Sequence, residues 1–359
     1  MKKRVKLINV LISIFGVMGI ISVFITDKLF LNIPVLIEGF PNFNSDYILR
    51  SILLFIFLCL MFIGLVKNKK NDFSIFDENL NVIIKLGVFT IHILSILFLF
   101  LFIFDPYHFD ALSREDYPIE WCSAIFLFGS SFIFLFLFFR TPSTRNISNI
   151  TKLGFLLLSF LFFTIAMEEV SWFQRILKIE TPEFLKTNEQ NEINFHNLYS
   201  DISENVYYFG SFVFLIVFPF LNFLFPKCLF SKHLKPIIPK PFVAIIVAVG
   251  YSYNFDMWNS IITQITFFSC LIILSYFAYF SKCRIERILV LFSLLLLIVQ
   301  QLIFLNYPNN YVRLWEITEY KEFFITVGFF AYSLNTLRTL DLIKISKIIN
   351  YLNLHFNPF

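Results

Sequence analysis

Long apolar runs separated by short polar segments make up almost the whole chain. A helix needs about 20 apolar residues to cross roughly 30 Å of hydrocarbon. Runs of this kind predict spans at 6–26, 48–66, 83–104, 119–139, 153–174, 204–226, 241–257, 259–280, 288–306 and 321–337. A backbone in lipid must satisfy its own hydrogen bonds, and the ten-residue alternating segments of a β-barrel do not occur. The pattern therefore predicts an all-α polytopic transmembrane helix bundle of about ten spans, in one domain at 1–338.

Two parts of this pattern need a separate argument. The stretch between Lys240 and Lys282 is about twice as long as one helix requires, so we divide it around 254–258. Beyond the last span, Asp341, Lys344 and Lys347 recur every three residues among apolar positions. That spacing predicts a cytoplasmic amphipathic interfacial helix and tail at 339–359.

The distribution of charge sets the orientation. Most of the 29 Lys and Arg residues fall in the N-terminal tail and in alternate loops, which predicts that both termini are cytoplasmic. Most of the 25 Asp and Glu residues fall on the opposite, outer face. Acids have little influence on insertion, so this bias is not a topology signal, and we look for the function on the outer face.

Composition narrows the class further. The chain has 359 residues, of which 58% are hydrophobic and 15% charged. Soluble domains carry about 25% charged residues, so a soluble protein is excluded. The five cysteines show no CxxC spacing, which argues against a disulfide framework and a zinc site. The net charge of +4 follows the topology, so the expected partner is the lipid bilayer and not a nucleic acid.

The segment 162–205 holds the most informative polar residues. On a helix, Glu168, Trp172 and Arg175 would share a face, while Glu169 is rotated toward a different neighbour. Carboxylates at the end of a membrane helix are costly unless they are paired, protonated or bound to a cation, and such residues are functional-site candidates by default. The alternative is a structural Glu–Arg lock between helices.

The loop that follows, 178–203, is polar and long for a connector. Its residues Asn194, His196 and Asn197 alternate with apolar positions, which fits a re-entrant segment that lines a polar cavity. A solvated loop is the equally weighted alternative. Two further acids lie deep at the outer ends of spans: Glu120, and Glu322 of the acidic stripe Glu316, Glu319 and Glu322.

These motifs carry a resemblance. The run EEVSWFQR at 168–175, TPE at 181–183 and NFHN at 194–197 resembles a pattern of uncharacterised bacterial multi-pass membrane proteins, in which EEISWGQR, TPE and NLHN are expected. Phe173 replaces the small residue of that pattern. The resemblance covers about a third of the chain and implies the bacterial plasma (inner) membrane, but no known reaction.

A looser similarity is to CAAX-type and glutamate-dependent intramembrane proteases, which also carry a Glu-Glu pair on a span. Arg175 stands six residues after Glu169 instead of four, and the later histidine motifs are missing, because His233 and His355 are cytoplasmic in the predicted topology.

Three functions remain open, and the sequence leaves it undecided whether the protein is an enzyme. The first is a membrane-embedded hydrolase or transferase that acts on a lipid or lipid-linked substrate. Glu168 or Glu169 would then be the general base, His196 its partner or a metal ligand, and Arg175 would hold an anionic head group. Other substrate-binding candidates are Trp172, Gln174, Asn194, Asn197, Glu120 and Glu322. A divalent cation is a candidate cofactor, since oxygen ligands are plentiful.

The second function is an ion-coupled transporter, and the third is a non-catalytic membrane subunit. The arrangement of the acids discriminates between the three. Acids that converge on one pocket favour the enzyme, acids that continue to the midplane favour transport, and acids spread over the rim favour docking.

Overall fold

The chain folds into a bundle of long α-helices. The computed structural model describes residues 2–66, 81–142, 147–183, 193–194, 200–226, 231 and 233–356, and these contain no β-strand. The helices are α1 (Lys2–Leu29), α2 (Ser45–Val66), α3 (Asn81–Phe104), α4 (Pro106–Leu112), α5 (Pro118–Arg140), α6 (Asn149–Glu169), α7 (Gln174–Leu177), α8 (Ser200–Phe212), α9 (Phe218–Leu224), α10 (Pro241–Ala248), α11 (Ile261–Phe280), α12 (Arg284–Asn306) and α13 (Glu316–Phe356). A π-helical turn at Val213–Val217 joins α8 to α9 as one continuous element.

Nine of the predicted spans are confirmed as helices that are long and apolar enough to cross a membrane, within the described part of the chain. These helices are Leu7–Leu29, Ser45–Val66, Ile83–Phe104, Pro118–Arg140, Asn149–Glu169, Ile202–Leu224, Lys235–Ser252, Ile261–Phe280 and Arg284–Asn306. The protein is therefore an all-α polytopic helix bundle, and its apolar helices indicate a lipid bilayer environment.

The tenth predicted span, 321–337, lies in α13, which is more polar than the other long helices. Helices α3, α5 and α6 surround α13 through aromatic pairs: Phe98 lies 4.8 Å from Tyr320, Phe134 5.2 Å from Tyr332 and Phe162 4.6 Å from Phe329 between ring centroids. Because protein rather than lipid surrounds its first half, α13 accommodates polar residues there. The helix continues to Phe356 without a break at the predicted boundary after residue 338.

The long apolar stretch at 240–282 divides into two helices, as predicted. Helix α10 continues as a 3₁₀ turn to Ser252, and α11 begins at Ile261. The residues between them, 253–260, are non-helical and entirely buried. Their polar groups find partners inside the bundle: the Asn254 amide donates to Gln301 Oε1 at 3.0 Å, and the Gln301 amide donates to the Asn254 carbonyl at 2.8 Å. The interruption is therefore built into the core.

The first two helices form a tightly packed pair at the side of the bundle. A Cβ atom at Gly16 would lie 2.5 Å from the Met61 nitrogen, and one at Gly64 would lie 2.3 Å from Ser13 Oγ. Only glycine permits this approach between the two backbones, which is a common way for membrane helices to associate. The outward side of α1 presents exposed apolar side chains such as Phe15 and Met18.

Candidate functional site

A cavity of about 150 Å³ lies where the end of α6, the beginning of α8 and the beginning of α13 meet. All three ends belong to the predicted outer face. The lining residues are Thr164, Ile165, Glu168 and Glu169 from α6, Ser203, Glu204 and Tyr207 from α8, and Glu322 from α13. Four of these eight described lining residues thus carry a carboxyl group.

Helix α6 ends at Glu169, earlier than the predicted end at residue 174. Ser171, Trp172 and Phe173 follow with φ angles of 46°, 54° and 59°, which place three consecutive non-glycine residues in the left-handed region. The prediction that Glu168, Trp172 and Arg175 share one helical face is therefore wrong, because the helix does not extend that far. The indole of Trp172 still donates to Glu168 Oε1 at 2.7 Å.

Two predicted substrate-binding residues, Gln174 and Asn194, hold this left-handed turn. The Gln174 side chain donates to Thr181 Oγ1 at 2.7 Å and accepts from the Ile193 backbone N–H at 2.6 Å. The Asn194 amide donates to Ser171 Oγ at 3.1 Å. Both side chains are buried, so these contacts give them a positioning role for the chain around the cavity.

Glu169 faces a different neighbour from Glu168, as the helical spacing predicts. Glu169 shares a hydrogen bond with Glu322 of α13 and lies within electrostatic reach of Glu319 and Glu120. Two carboxyl groups can share a hydrogen bond only when one of them carries a proton. The structure therefore brings three candidates from distant parts of the sequence, Glu120, Glu169 and Glu322, into one acidic cluster.

Tyr208 connects this cluster to α8. Its hydroxyl donates to Glu322 Oε1 at 2.6 Å. Glu204 Oε2 lies 3.3 Å from the Tyr208 hydroxyl oxygen. The ammonium of Lys321 lies 4.4 Å from the centroid of the Tyr208 ring and interacts electrostatically with Glu204, Glu322 and Asp256. Lys321 and Tyr208 are both buried. The cluster thus has a buried cation beside it, in contact with an aromatic ring.

Asp256 lies in the buried segment 253–260, beyond Lys321. Burial raises the pKa of Asp256 to about 6, against the opposing effect of the Lys321 charge. Its Oδ1 atom has no hydrogen-bond partner. A line of ionisable groups therefore extends from the cavity through Glu204 and Lys321 to Asp256.

Sequence reasoning missed Glu204, Tyr207, Tyr208 and Lys321 as site residues. Glu204 has capping-box spacing after Asp201, which suggested a purely structural role. Lys321 offered a usable signal, because it is an ionisable residue inside a predicted span and such residues are functional candidates. The two tyrosines offered none, since an aromatic residue in an apolar run is the ordinary composition of this chain.

Arg175 has acidic partners from the segment between α4 and α5. Its guanidinium lies 2.5 Å from Glu115 Oε2 and 2.8 Å from Asp116 Oδ2. Burial opposes the charge of Arg175, but the hydrogen bonds and charges of Asp116 and Glu115 outweigh it and raise its pKa above the ordinary value. The nearby Glu120 accepts from the Asp116 backbone N–H. Arg175 thus fixes the α4–α5 connection beside the cavity.

A second group of charges lies where α4 meets the beginning of α13. Asp110 is fully buried, and its two oxygens accept from Arg313 Nε at 2.5 Å and from Arg114 Nε at 2.8 Å. Burial alone would raise the pKa of Asp110, but these hydrogen bonds and charges outweigh it and hold the pKa below the ordinary value. Glu316 accepts from the Arg313 backbone N–H at 3.0 Å. The predicted acidic stripe of α13 is therefore divided, because Glu316 belongs to this group and Glu319 and Glu322 belong to the cavity.

The cavity lies between two helices that do not pack closely against each other in the described part of the chain. Helix α6 packs against α5, and α8 packs against α11. Both helices carry exposed apolar side chains close in sequence to the lining residues: Phe160 and Leu161 stand one turn before Thr164 and Ile165 on α6, and Val206 and Phe209 stand beside Tyr207 on α8. Exposed apolar surface on the helices that line the cavity is suited to a molecule that approaches from the lipid.

Two candidates, His196 and Asn197, lie outside the described residues, as does most of the predicted re-entrant loop 178–203. Among the residues that are described, no three His, Cys, Asp or Glu side chains are arranged to hold a metal ion.

Together, the fold and this site define a multi-pass helical membrane protein with a carboxyl-lined cavity at one end of the bundle. No protein-family model matches the chain, and neither the curated proteins nor the solved structures contain a match. The function is therefore argued from the site.

Proposed function

We propose that the protein is a membrane-embedded hydrolase or transferase that acts on a lipid or lipid-linked substrate at the outer face of a bacterial plasma membrane. The resemblance to bacterial multi-pass membrane proteins supports this location. The observation that carries the proposal is the hydrogen-bonded pair of Glu169 and Glu322 in a cavity between two lipid-facing helices. The convergence of acids on one pocket favours an enzyme over a docking surface.

A carboxyl pair that shares one proton supplies both halves of acid–base catalysis. The ionised member accepts a proton from the attacking water or acceptor hydroxyl, and the protonated member donates its proton to the leaving oxygen. We assign the base to Glu169, at the end of α6, and the acid to Glu322, whose Oε1 atom is held by the Tyr208 hydroxyl. A proton enters the pair and another leaves it, so the pair is restored after each turnover.

The experiment uses the full chain purified into lipid nanodiscs and supplied with a panel of bacterial lipids and lipid-linked saccharides. Products are identified by mass spectrometry. Glu169→Gln and Glu322→Gln remove the acid–base function with little change in size, and each should lower turnover by about 10²–10⁴-fold. Glu115→Gln is the matched control, because Glu115 is a half-exposed acid on the same face that does not line the cavity. Its turnover should stay within about twofold of the parent.

The proposal fails if the wild-type protein changes no lipid of the panel. It also fails if Glu169→Gln and Glu322→Gln turn over as fast as Glu115→Gln.

A proton-coupled transporter is the second candidate. The observation that favours it is the line of ionisable groups from the cavity to Lys321 and Asp256, which lies in the buried non-helical segment between α10 and α11. Buried ionisable residues are a feature of ion-coupled carriers. Solute uptake into proteoliposomes that depends on a pH gradient and is lost in Asp256→Asn, without any lipid product, would support this candidate over the enzyme.

A further inference from the structure

Among the described residues, the cavity and its surroundings hold more carboxyl groups than basic groups. Glu169, Glu204 and Glu322 line it, and Glu319 and Glu120 lie within electrostatic reach of Glu169. In the described part of the chain, Arg175 pairs with Glu115 and Asp116, and Arg313 pairs with Asp110. Lys321 lies over the Tyr208 ring and interacts with Glu204 and Glu322, so one described cation faces several carboxyl groups. An anionic group that entered the cavity would therefore be repelled, and a cationic group would be attracted.

A second feature of the cavity is an unsatisfied hydroxyl in its wall. The Tyr207 side chain lines the cavity, and its Oη atom is buried without a hydrogen-bond partner. A buried hydroxyl without a partner loses about 1–3 kcal/mol relative to a hydrogen-bonded one. A ligand that donates a hydrogen bond to this oxygen would recover that loss.

The described lining residues suit an organic cation better than a metal ion. Oxygen ligands of Mg²⁺ and Ca²⁺ must converge within about 2.0–2.6 Å of one point. Among the described residues no group of three His, Cys, Asp or Glu side chains is placed to hold a metal ion. An organic cation makes longer contacts, because its nitrogen lies about 2.7–3.0 Å from each acceptor. A cavity of about 150 Å³ also has room for a small polar group, since it is several times the volume that one water molecule needs.

We infer that this cavity binds the protonated primary amine of a lipid head group. A primary ammonium has three N–H donors, and the cavity offers three kinds of acceptor for them: the Glu169–Glu322 pair, Glu204 and the Tyr207 hydroxyl. The inference rests on the proposed function and assigns its substrate class, an amine-bearing lipid. It replaces the expectation that Arg175 receives an anionic head group, because Arg175 is already neutralised by two acids.

The amine could belong to a lipid or to a free small molecule, and the surroundings of the cavity favour the lipid. Exposed apolar residues lie on α6 and α8, the two helices that contribute most of the lining, so the chains of a lipid can lie against these helices while the amine enters the cavity. A free amine has the same charge and the same donors, but it gains nothing from that apolar surface.

Binding is measured on the full chain purified in detergent, by the rise in melting temperature with ligand concentration. The probes are dioctanoyl phosphatidylethanolamine, its N-acetylated form, dioctanoyl phosphatidylglycerol, ethanolamine and MgCl₂. We expect the amine lipid to bind at least tenfold more tightly than the N-acetylated lipid and phosphatidylglycerol. Ethanolamine should bind more weakly than the amine lipid, and MgCl₂ should leave the melting temperature unchanged.

Three variants locate the binding. Glu322→Gln should lower the affinity for the amine lipid at least tenfold. Tyr207→Phe should lower this affinity about threefold to tenfold, because the hydroxyl is lost. Glu115→Gln should leave it unchanged. Tyr207→Phe removes one buried oxygen, so the test does not depend on Glu322→Gln folding well. Equal affinity for the amine lipid and the N-acetylated lipid overturns the inference. Equal affinity of all three variants, or tighter binding of ethanolamine than of the amine lipid, also overturns it.

The result is separable from the proposed function. Selective binding of the amine lipid without turnover supports the amine site and refutes the enzyme. Turnover of phosphatidylglycerol or of the N-acetylated lipid supports the enzyme and refutes the amine site.

Discussion

Asp110 and Glu169 are two carboxyl groups enclosed at the same end of the bundle, and they have opposite kinds of neighbours. Asp110 accepts hydrogen bonds from two arginines on different elements. Glu169 instead shares a hydrogen bond with another carboxyl group and lies near two more. Burying a charge is tolerated when a counter-ion and hydrogen bonds compensate for it. The first group is therefore a structural lock between α4 and α13, whereas the second retains an unfavourable concentration of like charge that a ligand or a reaction can use.

The difference teaches how to separate structural acids from functional acids in a membrane bundle. Burial alone does not distinguish such acids, because Asp110 is fully buried and Glu169, although it lines the cavity, is also partly buried. The compensating partners do, because a residue that is fully neutralised within the chain has no remaining interaction to offer to a substrate. Substitutions in the two groups should therefore differ in the size and the pH dependence of their effects on stability.

The largest effect is expected from Asp110→Asn. It removes the charge that both arginines approach, and breaking a buried ion pair in this way should cost about 3–5 kcal/mol of unfolding free energy. Thermal unfolding of the purified protein in detergent measures the loss. Asp105→Asn is the matched control, because Asp105 is half-exposed on the same short helix and asparagine is an equally good N-cap. If both variants melt with the wild type, the group at Asp110 is not a lock.

Lys321→Met should have the next largest effect. It removes the cation that faces Asp256, Glu204 and Glu322, and we expect a loss of about 2 kcal/mol, since these acids can partly compensate by binding protons. Adding Asp256→Asn should recover part of the loss, because the double variant no longer buries an unpaired charge. Additive losses in this double-mutant cycle would argue against a coupling between Lys321 and Asp256.

The pH dependence of stability provides a third comparison. The folded-state pKa of Asp256 is raised to about 6. Asp256 binds its proton more tightly when folded, so its favourable contribution is complete below pH 4 and is lost as the pH rises through about 6. The unfolding free energy of wild type minus that of Asp256→Asn should therefore be larger at pH 5 than at pH 7.5, by about 1–2 kcal/mol.

The pKa of Asp110 is lowered instead. The contribution of Asp110 to stability is therefore complete above about pH 4, the ordinary pKa of an aspartate, and is lost only at lower pH. The difference between wild type and Asp110→Asn should consequently stay constant from pH 5 to pH 7.5. Parallel pH profiles for the Asp110 and Asp256 variants would remove the distinction between the two regions.

The smallest effect is expected from Arg175→Gln. Its ion pairs with Glu115 and Asp116 are half-exposed, and pairs of this kind contribute about 0–1 kcal/mol. The small difference in melting temperature should shrink further in 1 M NaCl, where the screening length is about 3 Å. A loss of several kcal/mol that salt does not change would mean that Arg175 is part of a buried lock like that of Asp110.

The fold was largely predictable because membrane spans follow from local composition. The ranges predicted for α2, α3 and α5 agree with the observed helices to within three residues at each end. The end of α6 was not predictable, since three left-handed residues in a row follow no propensity rule. They depend on contacts from Gln174 and Asn194, and the partners of those side chains are set by the path of the chain.

The site was predictable only in part. Glu120, Glu169 and Glu322 could be singled out because acids near membrane helix ends are costly wherever they occur. Which of the acids meet each other could not be deduced, as Glu316 and Glu322 show: they lie two turns apart on one helix and belong to different groups.

The sequence by itself determined that this is a polytopic helix bundle with an acid-rich face, because hydrophobicity and charge act residue by residue in a bilayer. Only the tertiary structure decided which acids are neutralised by arginines and which are left to share a proton beside a cavity. That choice depends on distances between helices that are far apart in the chain, and electrostatic interactions vary steeply with distance in a medium of low dielectric constant.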